Sequence, residues 1–216
     1  MNVNRRDFSA ALVATSFGAS ALPLTAFAQA GAPTEGTQFA KVEPPVPLLA
    51  PGKIEVLEFF SYACPHCNAF EPTVETWSKK LPADVVFHRV PAPFLMNAEN
   101  FMRTYYTLET MGQVATMQRK IFTAVHVDRL HLDKPADIAA LAGKNGIDST
   151  KFLDVFNSFS VATSVARAKK LATAYKLDSV PTMMVNGHYS TSPAQSGGME
   201  QTVAVVDYLI QRARKG

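Results

Sequence analysis

The chain has 216 residues, 47% of them apolar and 14 of them Phe, enough to bury a core without help from disulfides. Its formal charge of +3 carries no block of like charge, so nothing in it selects nucleic acid or an anionic membrane as partner. Only two cysteines are present, Cys64 and Cys67, which excludes a disulfide-stapled scaffold: a bridge between them closes almost no chain and adds little through loop entropy.

Residues 1–28 read as an export signal. Arg5 and Arg6 give a basic start, Phe8 to Leu24 is mostly small and apolar, and Ala26-Phe27-Ala28 offers the small-x-small pattern for cleavage. Ala30 is the second candidate cleavage point. Arg5-Arg6-Asp7-Phe8 partly resembles a twin-arginine signal, and the general export route fits as well. Either route predicts the bacterial periplasm, where an oxidised cysteine pair persists. Residues 29–52, with Gly31, Pro33, Gly36, Pro44, Pro45, Pro47 and Pro51, predict an N-terminal arm with little regular structure.

Ile54 to Tyr62, an apolar run interrupted by Glu55, Glu58 and Ser61, predicts a buried strand. Pro65 to Lys80 predicts a helix, with Pro in its first turn and Pro72 placed to kink it. Val85 to Val90 is a second strand. From Asn100 to about Ala174 the pattern is helical: Phe101, Tyr105, Leu108 and Met111 recur at helical spacing, as do Val114, Met117, Ile121 and Val125. A short helix follows Pro135, Asp148 is placed to cap the next, and an Ala-rich helix runs to about Tyr175. Thr182–Val185 and His188–Ser190 flank Asn186-Gly187, a strong hairpin signal. Met199 to Arg214 is a closing helix. Strand-helix-strand at the start and hairpin-helix at the end predict one α/β sheet, with the helical block as an insertion.

Cys64-Pro65-His66-Cys67 falls where the buried strand meets a helix N-terminus. Unpaired N–H groups and the positive end of the helix dipole favour a thiolate at Cys64. His66, protonated or donating, favours it further. Cys64 at the exposed tip is the expected nucleophile, and Cys67, one turn on and facing inward, the resolving thiol. A zinc site needs ligands beyond two cysteines, and His126 and His131 lie too far from Cys67 in sequence for a finger. Haem attachment needs His directly after the second Cys, where Asn68 stands. No metal or cofactor is expected. His88, His126, His131 and His188 follow no pattern and read as surface or packing. Met183 and Met184 are candidates to line a substrate groove, with one of them in the core.

Glu58-Phe59-Phe60-Ser61-Tyr62-Ala63-Cys64-Pro65-His66-Cys67, with Phe70-Glu71, resembles the active-site segment of the DsbA family of periplasmic disulfide oxidases. Val180-Pro181-Thr182 followed by Val185-Asn186-Gly187 resembles the family's cis-proline loop and hairpin. The resemblance covers roughly residues 48–212. It implies a thioredoxin fold with an inserted helical domain: a leading thioredoxin-fold segment over 53–96, the insertion over 97–168 and a closing thioredoxin-fold segment over 169–216. It further implies a cis Val180-Pro181 bond against the cysteines and substrate binding by Val180, Pro181 and Thr182. Glu58 would be a buried carboxylate that relays a proton from Cys67. The implied activity is oxidation of reduced, unfolded exported proteins, with a DsbB-like membrane protein as reoxidase. A reductase or isomerase of the same fold and a peptide-binding chaperone remain alternatives. Isomerases of the DsbC kind carry an N-terminal dimerisation domain, for which residues 29–53 are too few, so a monomer is expected.

Overall fold

The computed structural model describes residues 31–215, so the export signal and both candidate cleavage points lie outside the described residues. Five strands form one mixed sheet: β1 (Ala40–Lys41), β2 (Ile54–Phe60), β3 (Val85–Pro91), β4 (Thr182–Val185) and β5 (Tyr189–Thr191), in the order β1-β5-β4-β2-β3. β2 and β3 are parallel, joined by helix α1 (Pro65–Ser78), while β4 runs antiparallel to β2 and to β5. Central β2 is covered on both faces, which is why it is mostly apolar and why both of its glutamates, Glu55 and Glu58, are buried. The register sets Glu58 directly beside Arg89 of β3 and Met183 of β4. α1 continues through Pro72, whose missing N–H leaves the Asn68 carbonyl without its helical donor.

The arm is more ordered than its composition predicts. Ala40 and Lys41 pair with Ser190 and Tyr189 as the edge strand, and Phe39 is fully buried, edge-on to Tyr189. Beyond it, Val42 N–H donates to His188 C=O (2.8 Å) and Val46 N–H to Gly187 C=O (3.0 Å). Proline needs no such donors, so a Pro-rich arm can lie along an edge that offers few partners. Asn186 and Gly187, at φ 53° and 69°, make the tight hairpin turn that the sequence predicts. Gly187 is doubly required, because a Cβ there would collide with the Val46 carbonyl oxygen.

Between β3 and β4 the helical block resolves into α2 (Ala98–Thr110), α3 (Val114–His126), α4 (Pro135–Lys144), α5 (Ser149–Phe156) and α6 (Phe159–Ala174). Asp148 caps α5 as expected, accepting from Thr150 N–H (2.8 Å) and Lys151 N–H (2.9 Å). α6 is unbroken across residue 168, where the insertion was expected to end. After β5 come α7 (Pro193–Ser196), a short capped turn that the sequence reading missed, and α8 (Met199–Ala213). None of the described helices is long and apolar enough to cross a membrane.

The sheet has a core on each face. One joins Phe70, Val74 and Trp77 of α1 to Val203, Val206, Leu209 and Ile210 of α8. The other joins Leu57, Phe59 and Phe60 to the helical block through Tyr62, Phe101, Tyr105 and Phe122, a run of edge-to-face and tilted aromatic pairs. Met183 and Met184 both prove to be core, one on each face, because neighbours along a strand point to opposite sides. Neither lines a groove.

Candidate active site

The active-site loop is tied before the helix begins. Cys64 N–H donates to Ser61 C=O (3.0 Å), and Ala63 N–H donates to the Ser61 hydroxyl (3.2 Å). Cys64 is then the N-cap of α1, with extended backbone (φ −92°, ψ 117°), and Pro65 follows at the first helical position. A cap side chain accepts from the third helical N–H, and here the acceptor is sulfur: Cys67 N–H donates to Cys64 Sγ at 3.4 Å. Both cysteines are free thiols. The Cys67 thiol and then the N–H groups of Cys67 and His66 favour a negative Cys64 sulfur, which holds its pKa at about 6 against the cost of burial. His66 adds its charge last.

Cys64 is less open than a helix tip suggests. Only 5% of it is accessible, because the loop before β4 folds over it. Cys64 Sγ donates to Val180 C=O at 3.4 Å, and the Val180-Pro181 bond is cis, as the resemblance implies. Val180 is half-buried and Pro181 buried. Thr182 is buried too, its hydroxyl bound to Ser179 C=O (2.9 Å), so its side chain closes the loop. Pro65 and His66 are exposed beside the sulfur.

Cys67 is 1% accessible, and burial, with the neighbouring Cys64 sulfur, pushes its pKa far above the ordinary thiol range. On this inner side lies a charged cluster that the sequence reading only half found. Glu58 Oε2 accepts from Arg89 Nε and Glu71 Oε1 from Arg89 Nη2, each at 2.9 Å. Gln118 of α3 donates to Glu71 Oε2 (3.2 Å) and accepts from the Tyr62 phenol (2.6 Å). His126, two turns further along α3, donates from Nε2 to the Tyr62 carbonyl (2.8 Å). Burial raises both carboxylates, Glu71 to about 7, against the pull of Arg89. Arg89, which follows His88 in β3, carried no such signal in sequence, and neither did Gln118 or Tyr62.

Residues 83–203 match the family model described as a DSBA-like thioredoxin domain. The chain belongs to the DsbA-like family. The thiol:disulfide interchange protein DsbA of Pseudomonas aeruginosa is 43% identical over 205 residues, 94% of this chain and 96% of that one. The DsbA of Bordetella pertussis is 41% identical over 209 residues, 96% of this chain and 98% of its own. These alignments take in the cysteine segment, which lies upstream of the matched domain. The crystal structure of P. aeruginosa DsbA superposes with a TM-score of 0.82 at 43% identity, covering 85% of this chain and 95% of that one. DsbA-like membership settles the thioredoxin-like fold.

Proposed function

We propose that this protein is a thiol:disulfide oxidoreductase that introduces disulfide bonds into exported proteins in the periplasm. The observation that carries the reading is the contrast one helical turn apart: Cys64 with its pKa held to about 6, Cys67 with its pKa pushed far up. In the oxidised enzyme a substrate thiolate attacks Cys64 Sγ. The Cys64–Cys67 bond breaks and a mixed disulfide forms at Cys64. Cys67 leaves with the electron pair and takes a proton, for which Glu58 is the donor. A second substrate thiolate attacks the substrate sulfur of the mixed disulfide and expels Cys64, a good leaving group because its thiolate is stable. Two substrate thiols are thereby oxidised to one disulfide and the enzyme pair is reduced. Pro65 starts the helix that serves the thiolate, and His66 adds a local positive charge. The backbone of Val180, Pro181 and Thr182 pairs with an extended stretch of substrate across Cys64. A DsbB-like membrane protein restores the disulfide, and the enzyme works as a monomer.

The test is oxidative refolding of a reduced, unfolded disulfide protein with stoichiometric oxidised enzyme. The parent should yield one substrate disulfide per enzyme and the Cys64→Ser variant none. Equal yields from the two would refute the reading.

A further inference from the structure

Beneath Cys67 two buried carboxylates share a single cation, and their surroundings differ. Both oxygens of Glu71 face donors, Arg89 Nη2 on Oε1 and Gln118 Nε2 on Oε2. Glu58 has one oxygen on Arg89 Nε, while its Oε1 meets no donor among the described residues. The side chain of Gln118 is symmetrical in shape, and the Tyr62 phenol decides which way it points. That phenol is fully buried and needs an acceptor, which only the amide oxygen supplies. The amide N–H₂ is left facing Glu71. Protonating Glu71 would set an O–H against a donor on either oxygen, or turn the amide and strand the buried phenol proton. Protonating Glu58 on Oε1 disturbs no hydrogen bond.

We infer that Tyr62 and Gln118 are positioning residues that keep Glu71 ionised and thereby assign the shared proton to Glu58. The inference deepens the proposed function and rests on Glu58 being the proton donor to Cys67. The proton then waits on the one carboxylate oxygen with no donor against it. When the disulfide opens, the Glu58 O–H bond breaks, the Cys67 S–H bond forms, and Glu58 is left as a carboxylate paired with Arg89. The charged and titratable groups around Glu58 are Arg89 from β3, Glu71 and Cys67 from α1 and Tyr62 from the loop before α1. Tyr105 of α2 and Glu75 of α1 act on the cluster through Arg89 and Glu71. Burial raises the affinity of both carboxylates for a proton against the pull of Arg89. Helix α3 of the inserted block thus bears on the chemistry through Gln118, and it braces the same loop through His126 and the Tyr62 carbonyl.

The direct test is a pH titration of the glutamate side-chain carboxyl carbons by ¹³C NMR in the reduced protein, with Glu58→Gln and Glu71→Gln assigning the two signals. In the parent, Glu71 should titrate below Glu58. Gln118→Leu removes the donor, and Tyr62→Phe keeps the packed ring but frees the amide to turn. In each variant the Glu71 midpoint should rise by about one pH unit and that of Glu58 should fall. Unchanged midpoints in the folded Tyr62→Phe protein, or a parent in which Glu58 titrates first, would overturn the inference. The underlying reading fails separately: if the midpoints move as expected but Glu58→Gln leaves the pH profile of disulfide exchange unaltered, the proton assignment stands and the relay to Cys67 falls.

Discussion

Cys64 and Cys67 stand one helical turn apart, and the regions around their sulfurs are built on different principles. The outer region is local. The Cys67 thiol and the N–H groups of Cys67 and His66, which favour the Cys64 thiolate, come from one stretch of chain, and the Val180 carbonyl is what reaches the sulfur from a distant element. The inner region is assembled from distant elements: Glu58 on β2, Arg89 on β3, Glu71 on α1 and Gln118 on α3. A negative sulfur can be favoured by the nearest backbone, whereas a proton kept away from water needs several elements to close around it. The same short motif therefore combines a site that is cheap to encode with one that requires the whole fold.

Alkylation of the reduced protein gives the largest expected difference between the regions. Labelling of Cys64 should follow a single titration with midpoint about 6. At pH 7 it should outrun Cys67 by more than about a hundredfold, since only the thiolate reacts. Preferential labelling of Cys67 would reverse the two roles.

Removing the cation of the inner region comes next. Arg89→Met leaves Glu58 and Glu71 buried without a compensating cation, and should cost about 3 kcal/mol in urea denaturation at pH 8. A buried carboxylate with a raised pKa contributes stability that is present below its unfolded pKa and lost as pH rises through the folded one. The deficit should therefore shrink toward pH 5. A loss independent of pH would mean that Arg89 acts by packing alone.

The outer region should show itself in stability of the opposite sign. The folded pKa of Cys64 is lowered to about 6, below the roughly 8.5 of an unfolded thiol. Its contribution is complete above the unfolded value and disappears as pH falls through the folded one. At pH 7 about 1 kcal/mol should remain in the reduced form and be absent from the oxidised form, which has no thiolate. Urea melts of the reduced protein should approach those of the oxidised protein between pH 7 and pH 5. The smallest effect is expected of His66→Ala, which should raise the Cys64 midpoint by less than about one pH unit in a thiolate absorbance titration, because the hydrogen bonds from Cys67 remain.

What the sequence revealed follows the same division. Cys64, Pro65 and Cys67 were legible because strand, cap and helix are written in consecutive residues, and Asn186-Gly187 named its own turn. Glu58 stood out as the strand charge nearest the cysteines. Its partner Arg89 did not, because the pairing depends on the register of β2 against β3, which no local pattern states. Gln118 lies on a helix where a polar residue ordinarily faces water, and only the docking of α3 buries it. The arm misled for a related reason: a two-residue edge strand exists only once β5 is there to pair with it. The donation from Cys67 to Cys64 was not legible, because it exists only in three dimensions.

The central claim is that the fold stabilises reduced Cys64 enough to make the oxidised pair a donor of disulfides. Equilibration of the protein with defined ratios of reduced and oxidised glutathione measures this directly. The reduction potential should lie well above the roughly −270 mV of thioredoxin, and it should become less oxidising when the Cys64 thiolate is weakened. A potential at or below the thioredoxin value would contradict the account and make the protein a reductase.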